Sequence, residues 1–359
     1  MPKDGLVIGD DLGVLTTDDN LGRLAELPRT LLAHTPTPIE HLPNLSAQLA
    51  GASLYVKRDD CTGLAFGGNK ARQLEFYLGE ALSQNADTIL ISGAVQSNFV
   101  RSAAAAAAKL DLACHIQLEE RVPNTDSLYR SSGNVLLNHL LGATLHSYSE
   151  GEDEFGADQR LRDIAADLMK HGRRPYVIPL APGHPPLGAV GYVVAAREIL
   201  AQLDTVDYSI DGMVVASGSG QTHAGLLFGL RAMGSSISVL GVCVRRSARA
   251  QLDRVRAHCD ELSSLSGLQS PVKEADIQLT DDHLAPGYGQ LNATTKTAIS
   301  LGAQYEALLL DPAYTGKAFA GALQQARSLD THQALLFIHT GGTPGIFAYG
   351  STLLEEKGH

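Results

Sequence analysis

Cysteine is scarce and unpatterned in this chain. Its 359 residues hold four, Cys61, Cys114, Cys243 and Cys259, with no CxxC spacing. That argues against a disulfide framework and reads as reduced, mostly buried thiols of a cytosolic protein. Cys61 lies near the motifs discussed below but reads as structural, not as a nucleophile. Long apolar runs are also missing: no segment approaches the length of a transmembrane span. The start, Met-Pro-Lys-Asp-Gly-Leu-Val-Ile-Gly-Asp-Asp, is too polar for a signal peptide. Together these absences predict a soluble, cytoplasmic protein. Basic residues are outnumbered 28 to 39, for a net charge of −11. Nucleic acid and anionic membrane are therefore not expected partners, although local basic groups can still build an anion site. No repeat, low-complexity linker or compositional break marks a domain boundary. Discontinuous domains, which the chain leaves and re-enters, would explain that.

What is present suits a large α/β enzyme. Hydrophobic residues make up 44% of the chain, and 359 residues are long for one core. Short apolar runs alternate with helical stretches from Leu54 onward. Strands are predicted at Leu54–Lys57, Thr88–Ser92, Cys114–Leu118, Thr144–Ser147, Tyr176–Ile178, Gly212–Ala216, Ser238–Val244, Ala307–Leu310 and Ala334–His339. Helices are predicted at Lys70–Leu82, Asn98–Leu110, Gly133–Leu141, Asp158–Lys170, Gly188–Leu203, Thr222–Ala232, Asn292–Leu301 and Gly316–Arg327. Such alternation implies mostly parallel, twisted sheets with helices on both faces. The six alanines Ala103–Ala108 predict a closely packed helix. Glu150–Asp158 and Asp260–Glu274 read as polar surface connections.

Four segments carry chemistry. Gly67-Gly68-Asn69-Lys70 opens a helix: the glycines permit close backbone approach, and the helix start disfavours an extra ammonium. A lysine held there is neutral more often than in water, and so nucleophilic. Ser217-Gly218-Ser219-Gly220-Gln221-Thr222 follows an apolar strand and opens another helix, an arrangement that holds a phosphate through N–H groups and small hydroxyls. An ordinary strand–turn–helix corner is the plainer reading of the same residues. Gln96-Ser97-Asn98 places an N-cap at Ser97 or Asn98, and that helix start suits a carboxylate. Asp311-Pro-Ala-Tyr314-Thr315 and His339-Thr340-Gly341-Gly342 follow apolar runs, where ligands gather at the carboxyl ends of parallel strands. Tyr288, in Pro286-Gly-Tyr-Gly, is a loop companion to Tyr314. A Schiff-base lysine, a phosphate cradle, a carboxylate site and strand-end hydroxyls are what pyridoxal 5′-phosphate requires. The motifs call for no metal.

From about Pro36 to Tyr349 the chain resembles the family of D-cysteine desulfhydrase and 1-aminocyclopropane-1-carboxylate deaminase, within the tryptophan-synthase-β-like pyridoxal phosphate enzymes. The landmarks are Lys57-Arg-Asp-Asp, Gly67-Gly-Asn-Lys70-Ala-Arg, Gln96-Ser-Asn98, Gly191-Tyr192, Ser217 to Thr222, Pro286-Gly-Tyr288-Gly, Asp311-Pro-Ala-Tyr314 and His339-Thr-Gly-Gly. The resemblance implies a two-domain fold type II enzyme, with residues 1–72 and 183–359 as a large domain and 73–182 as a small one. It also implies a homodimer. Lys70 would hold the cofactor and exchange the α-proton. Asn98 would bond the ring hydroxyl, Ser97 the substrate carboxylate, and Ser217 to Thr222 the phosphate. Tyr288 and Tyr314 would face the substrate, and Thr340, with Thr315 as second candidate, the pyridine nitrogen. A hydroxyl at that nitrogen makes a weaker electron sink than a carboxylate, which suits β-elimination. The family's deaminases carry Glu at the position of Thr315. The reaction implied is α,β-elimination from a small sulfur-bearing amino acid, with D-cysteine going to pyruvate, ammonia and hydrogen sulfide. L-cysteate sulfo-lyase, the cyclopropane deaminase and a non-catalytic cofactor or amino-acid binder are the alternatives. Phe99, where the family has histidine, and His184, in Pro182-Gly-His-Pro-Pro-Leu187, depart from the pattern and would border the substrate.

Overall fold

Short β-rich apolar runs and longer amphipathic helices fold here into two parallel sheets, each flanked by helices. The computed structural model describes residues 21–179 and 184–354. The polar start weighed above as a signal peptide lies outside the described residues. So do Pro182 and Gly183, and with them the expected boundary between 182 and 183. The early elements are β1 Ile39–His41, α1 Pro43–Leu49, β2 Ser53–Lys57 and α2 Lys70–Ser83. Then come β3 Thr88–Ala94, α3 Asn98–Lys109, β4 Ala113–Glu119, α4 Ser127–Ser131 and α5 Gly133–Leu140. After them run β5 Thr144–Tyr148, α6 Glu154–Lys170, β6 Pro175–Ile178 and α7 Leu187–Leu203. The next stretch holds β7 Gly212–Ser217, α8 Gln221–Ala232, β8 Ser238–Cys243, α9 Ala248–Ser266 and β9 Ile277–Thr280. The last comprises α10 Ala293–Glu306, α11 Thr315–Ser328, β10 Ala334–Ile338, α12 Thr343–Phe347 and α13 Gly350–Leu354.

One sheet has the order β1-β2-β10-β7-β8-β9 and the other β5-β4-β3-β6. Every pairing is parallel except β1 with β2. The central strands β3 and β7 are buried at every position, as strands covered on both faces must be. Leucines and alanines of α1, α10 and α11 pack one face of the six-stranded sheet, and α7, α8 and α9 the other. The four-stranded sheet carries α2 and α3 on one face and α6 on the other. Ala103 to Ala107 are all buried, so the alanine run lets α3 lie close to its sheet.

The predicted strand Ala307–Leu310 is not one. Ala307 takes φ 53° as it ends α10, and the N–H of Leu308 returns to Gly302 O at 3.0 Å. The run reads as a strand because Leu308 and Leu310 are buried, but no ladder pairs it. Helix α9 was not predicted, and it extends into the stretch read as a surface connection. Its buried stripe, Gln251, Val255, His258, Cys259, Leu262 and Ser266, is narrow and half polar, so the helical period is faint. Helix α6 starts at Glu154, four residues before the predicted start. The edge strands β1 and β9 are too short to register as patterns.

A buried charge cluster fixes the base of the site. Lys57, at the end of β2, spends its three donors on Thr37 O at 2.7 Å, Glu198 Oε1 at 2.6 Å and Gln202 Oε1 at 2.6 Å. Arg72, two residues after Lys70, reaches Asp59 at 2.9 Å and Glu198 at 2.8 Å. The Tyr192 hydroxyl donates to Asp59 Oδ2 at 2.6 Å. Gly191 is required here, because a Cβ would sit 2.3 Å from Arg72 O. Four landmark residues of the sequence, Lys57, Asp59, Arg72 and Tyr192, thus join Glu198 in one neutral cluster that ties β2, α2 and α7 together.

Candidate active site

Lys70 is the first residue of α2, and the loop before it is built from backbone approach. Asn69 N–H donates to Thr340 O at 3.0 Å, and the Thr62 hydroxyl donates to Gly68 O at 2.8 Å. Gly341 takes φ 91°, and a Cβ on it would lie 2.6 Å from Gly68 Cα. The two glycine-rich loops therefore touch through their backbones. From the other side the buried Arg101 of α3 donates to Ala65 O at 2.5 Å and Gly67 O at 3.1 Å. It holds Ala65 and Phe66 at φ 40° and 70°, which non-glycine residues rarely adopt.

Lys70 Nζ donates to Gln73 Oε1 at 3.0 Å and lies 4.8 Å from the centre of the Phe99 ring. Burial pulls its pKa down to about 8, even though the ring face attracts the ammonium. Phe99, unexpected in sequence, thus forms one wall around the lysine.

A cavity opens beside it. Asn69, Lys70, Ser97, Asn98, Phe99 and Thr340 line it, together with Gly218, Ser219, Gly220, Thr222, Tyr288 and Tyr314. Twelve residues from six separate stretches of the sequence, eleven of them proposed as site residues, meet in one place. Ser97 caps α3, its hydroxyl accepting from Phe99 N–H at 3.2 Å and Val100 N–H at 3.4 Å. Asn98 Oδ1 accepts from Asn134 Nδ2 at 2.9 Å. The Thr222 hydroxyl accepts from Asn69 Nδ2 at 2.9 Å and Gln73 Nε2 at 2.8 Å. With both lone pairs taken, its hydrogen remains to be donated. Among the described residues, nothing accepts the N–H of Ser219 or Gly220.

The hydroxyls of Tyr288 and Tyr314 are hydrogen-bonded to each other. Burial raises both above the ordinary phenol value, with Arg121 pulling partly the other way. Both are neutral at pH 7. One donates to the other, and the acceptor's own O–H is left to point elsewhere. Asp311 places Tyr314: its carboxylate accepts from the N–H groups of Ala313 at 3.0 Å, Tyr314 at 3.0 Å and Thr315 at 2.8 Å.

Four of the proposed residues do not line the cavity. The Thr315 hydroxyl is spent on Asp311, donating to Oδ1 and accepting from the N–H, both at 2.7 Å. The Ser217 hydroxyl accepts from Gln251 Nε2 at 2.9 Å and the Gln221 side chain pairs with Tyr77. His184 is exposed and is not among the residues that line the cavity. Helix caps and core polar pairs use the same small hydroxyls as ligand sites, which is why sequence did not separate them.

Arg121, Glu154, Arg245 and Arg254 line the cavity and were not anticipated. Arg245-Arg246 directly follows the strand run ending in Val244, a doublet at the carboxyl end of a parallel strand, and that was the available signal. Glu154 was hidden in a polar stretch. Cys61 is exposed, and partial burial beside Asp60 raises its thiol, which leaves it protonated. Among the described residues, no group of three His, Cys, Asp or Glu could hold a metal, and no helix is long and apolar enough to cross a membrane.

The profile of the family described as pyridoxal-phosphate dependent enzyme matches residues 30–341. D-cysteine desulfhydrase of Salmonella typhi is 43% identical over 331 residues, covering 92% of this chain and 98% of that protein. The D-cysteine desulfhydrase of Salmonella paratyphi B is 44% identical over 332 residues, with the same coverage. A solved structure of an ACC deaminase homologue matches with a TM-score of 0.84 at 37% identity, covering 95% of this chain and 99% of that one. O-ureido-L-serine synthase, at 18% identity and a TM-score of 0.66 over 98% of this chain and 97% of that one, shares the fold.

Proposed function

Because the chain belongs to the pyridoxal-phosphate dependent enzyme family, we propose that it is a D-cysteine desulfhydrase, a lyase that converts D-cysteine and water to pyruvate, ammonia and hydrogen sulfide. The observation that carries this reading is the 43% identity to D-cysteine desulfhydrase across 98% of that protein. The cavity fits the cofactor: a half-buried lysine shares it with unspent N–H groups and a threonine hydroxyl free to donate.

When bound, pyridoxal 5′-phosphate supplies an electron sink at the substrate's α-carbon. Lys70 would hold it between substrates and, with substrate bound, take the α-proton. Gly218 to Thr222 would cradle the phosphate, Asn98 would meet the ring hydroxyl and Thr340 the ring nitrogen. Ser97 and the start of α3 would take the substrate carboxylate. The Tyr288–Tyr314 pair, kept neutral by burial, would offer its free O–H to the departing sulfur. Glu154 is the one carboxylate among the described lining residues, and it is tied to arginines. With Thr340 read as the ring nitrogen's partner, the weaker electron sink favours prompt elimination over ring-opening deamination. Residues 73–182 would close as the smaller domain and exclude water. A cytoplasmic homodimer acting in sulfur amino-acid metabolism completes the reading.

The test is pyruvate release with D-cysteine, L-cysteine, L-cysteate and 1-aminocyclopropane-1-carboxylate side by side. D-cysteine should exceed the rest by at least about 100-fold in kcat/KM. Faster turnover of the cyclopropane or of L-cysteate would replace the proposed substrate while leaving the family intact. A second expectation concerns Asp311→Asn, which keeps size but loses acceptor capacity beside Tyr314. It should lower kcat by about 10- to 100-fold with little change in KM. An unchanged kcat would remove the tyrosine pair from proton delivery.

A further inference from the structure

Three arginines converge beside the Gly218–Thr222 loop on a single carboxylate, that of Glu154 in α6. Arg246 donates to Gly218 O at 3.2 Å, and Arg254 Nε donates to Ser219 O at 2.9 Å. In a planar trans peptide the carbonyl and the next residue's N–H point opposite ways. Guanidinium groups on those two carbonyls therefore turn the N–H of Ser219 and Gly220 to the opposite side, and neither of these N–H groups has an acceptor among the described residues. Glu154 holds the guanidinium groups in place. Its Oε1 meets Arg245 at 2.7 Å and also Arg246, and its Oε2 meets Arg254 at 3.2 Å.

Glu154 opens α6, which packs on the four-stranded sheet, whereas the arginines follow β8 of the six-stranded sheet. Burial opposes its charge, but Arg254, Arg246 and Arg245 together keep it below the ordinary carboxylate range, so it stays ionised. Arg246 in turn is crowded: burial and its two arginine neighbours lower it to about 10. Removing the shared counterion would let the cations spread apart.

We infer that Glu154 is a positioning residue for the cofactor phosphate: bridging Arg245, Arg246 and Arg254 across the two sheets, it holds the Gly218 and Ser219 carbonyls outward and the following N–H groups toward the anion. The inference rests on reading that loop as the phosphate cradle. It also joins the two sheets at the phosphate end of the cavity, so that seating the phosphate and closing the cavity share one contact.

The test titrates full-length protein with pyridoxal 5′-phosphate and, separately, with pyridoxal, which lacks the phosphate, reading the cofactor's visible absorbance. Glu154→Gln should weaken the phosphorylated form by about tenfold and leave pyridoxal within about twofold. Arg246→Lys, which keeps the charge but loses the fork, should show the same split and serves if Glu154→Gln fails to fold. Glu152→Gln, an exposed partner of Arg245 only, should change neither. Equal weakening of both ligands, or no weakening of either, overturns the role of Glu154. A wild-type protein with no preference for the phosphorylated form would instead overturn the cradle reading.

Discussion

Lys70→Ala is expected to lower pyruvate release from D-cysteine by at least about 10⁴-fold while the cofactor remains bound through the phosphate loop. With a pKa of about 8, about one Lys70 in ten is neutral at pH 7, against about one in 3,000 for an ordinary lysine. No second amine stands in for it, since Lys70 is the only lysine among the described lining residues. Turnover and bound cofactor, measured on the same preparation, separate loss of chemistry from loss of binding. A residual rate within tenfold of wild type would assign the proton transfer to another group. The same burial has a stability signature. Between about 8 and 10.5 the unfolded chain holds the lysine proton and the folded one does not. Stability of the cofactor-free protein should therefore rise with pH across that window, and the rise should be smaller in Lys70→Ala.

Sequence reached most of this site because its motifs are backbone devices. Gly-Gly-Asn-Lys, Ser-Gly-Ser-Gly and Thr-Gly-Gly each sit where a strand or loop meets a helix start, and the chemistry follows from local geometry. Lys70, Ser97, Asn98, Tyr288, Tyr314 and Thr340 accordingly fall in one cavity. What sequence could not reach depends on long-range contacts. Whether a threonine caps its own turn or faces a ligand is decided elsewhere: Thr315 is consumed by Asp311, while Thr222 is freed to donate by Asn69 and Gln73. Glu154 and Arg254 lie 100 residues apart in unpatterned polar stretches. The fold shows the same divide. Buried parallel strands were legible from apolar runs, whereas α9, with its half-polar stripe, and the three-residue β1 were not. Ala307–Leu310 misled because burial without a ladder partner leaves the same signature as a strand.

The Lys57–Glu198–Arg72–Asp59 cluster gives the second large effect, and it is one of stability. All four side chains are at most 1% exposed, and two cations balance two carboxylates. Glu198→Gln keeps the shape but leaves Lys57 and Arg72 facing only Asp59, one uncompensated positive charge inside the protein. The expected loss is about 3–5 kcal/mol in urea unfolding. Burial already lowers the Lys57 pKa, and without the Glu198 attraction it should fall further, so part of the loss would appear as proton release from Lys57. Lys57→Met in the same background removes the surplus charge and leaves the balanced Arg72–Asp59 pair. The double variant should therefore be less destabilised than the sum of the single variants by at least about 1 kcal/mol. Strict additivity would mean that the two groups are stabilised separately by their hydrogen bonds and not by each other. Acid supplies an independent readout. Burial alone would raise Asp59, but Arg72 and Lys57 bring it to about 2, and Arg72 and Lys57 likewise hold Glu198 below its ordinary value. Both carboxylates thus contribute stability that is complete above their unfolded values and is lost as pH falls toward 2. Glu198→Gln should flatten that acid limb. Because Arg72 lies half a helical turn from Lys70 on α2, the same variant should also slow turnover in the fraction that remains folded.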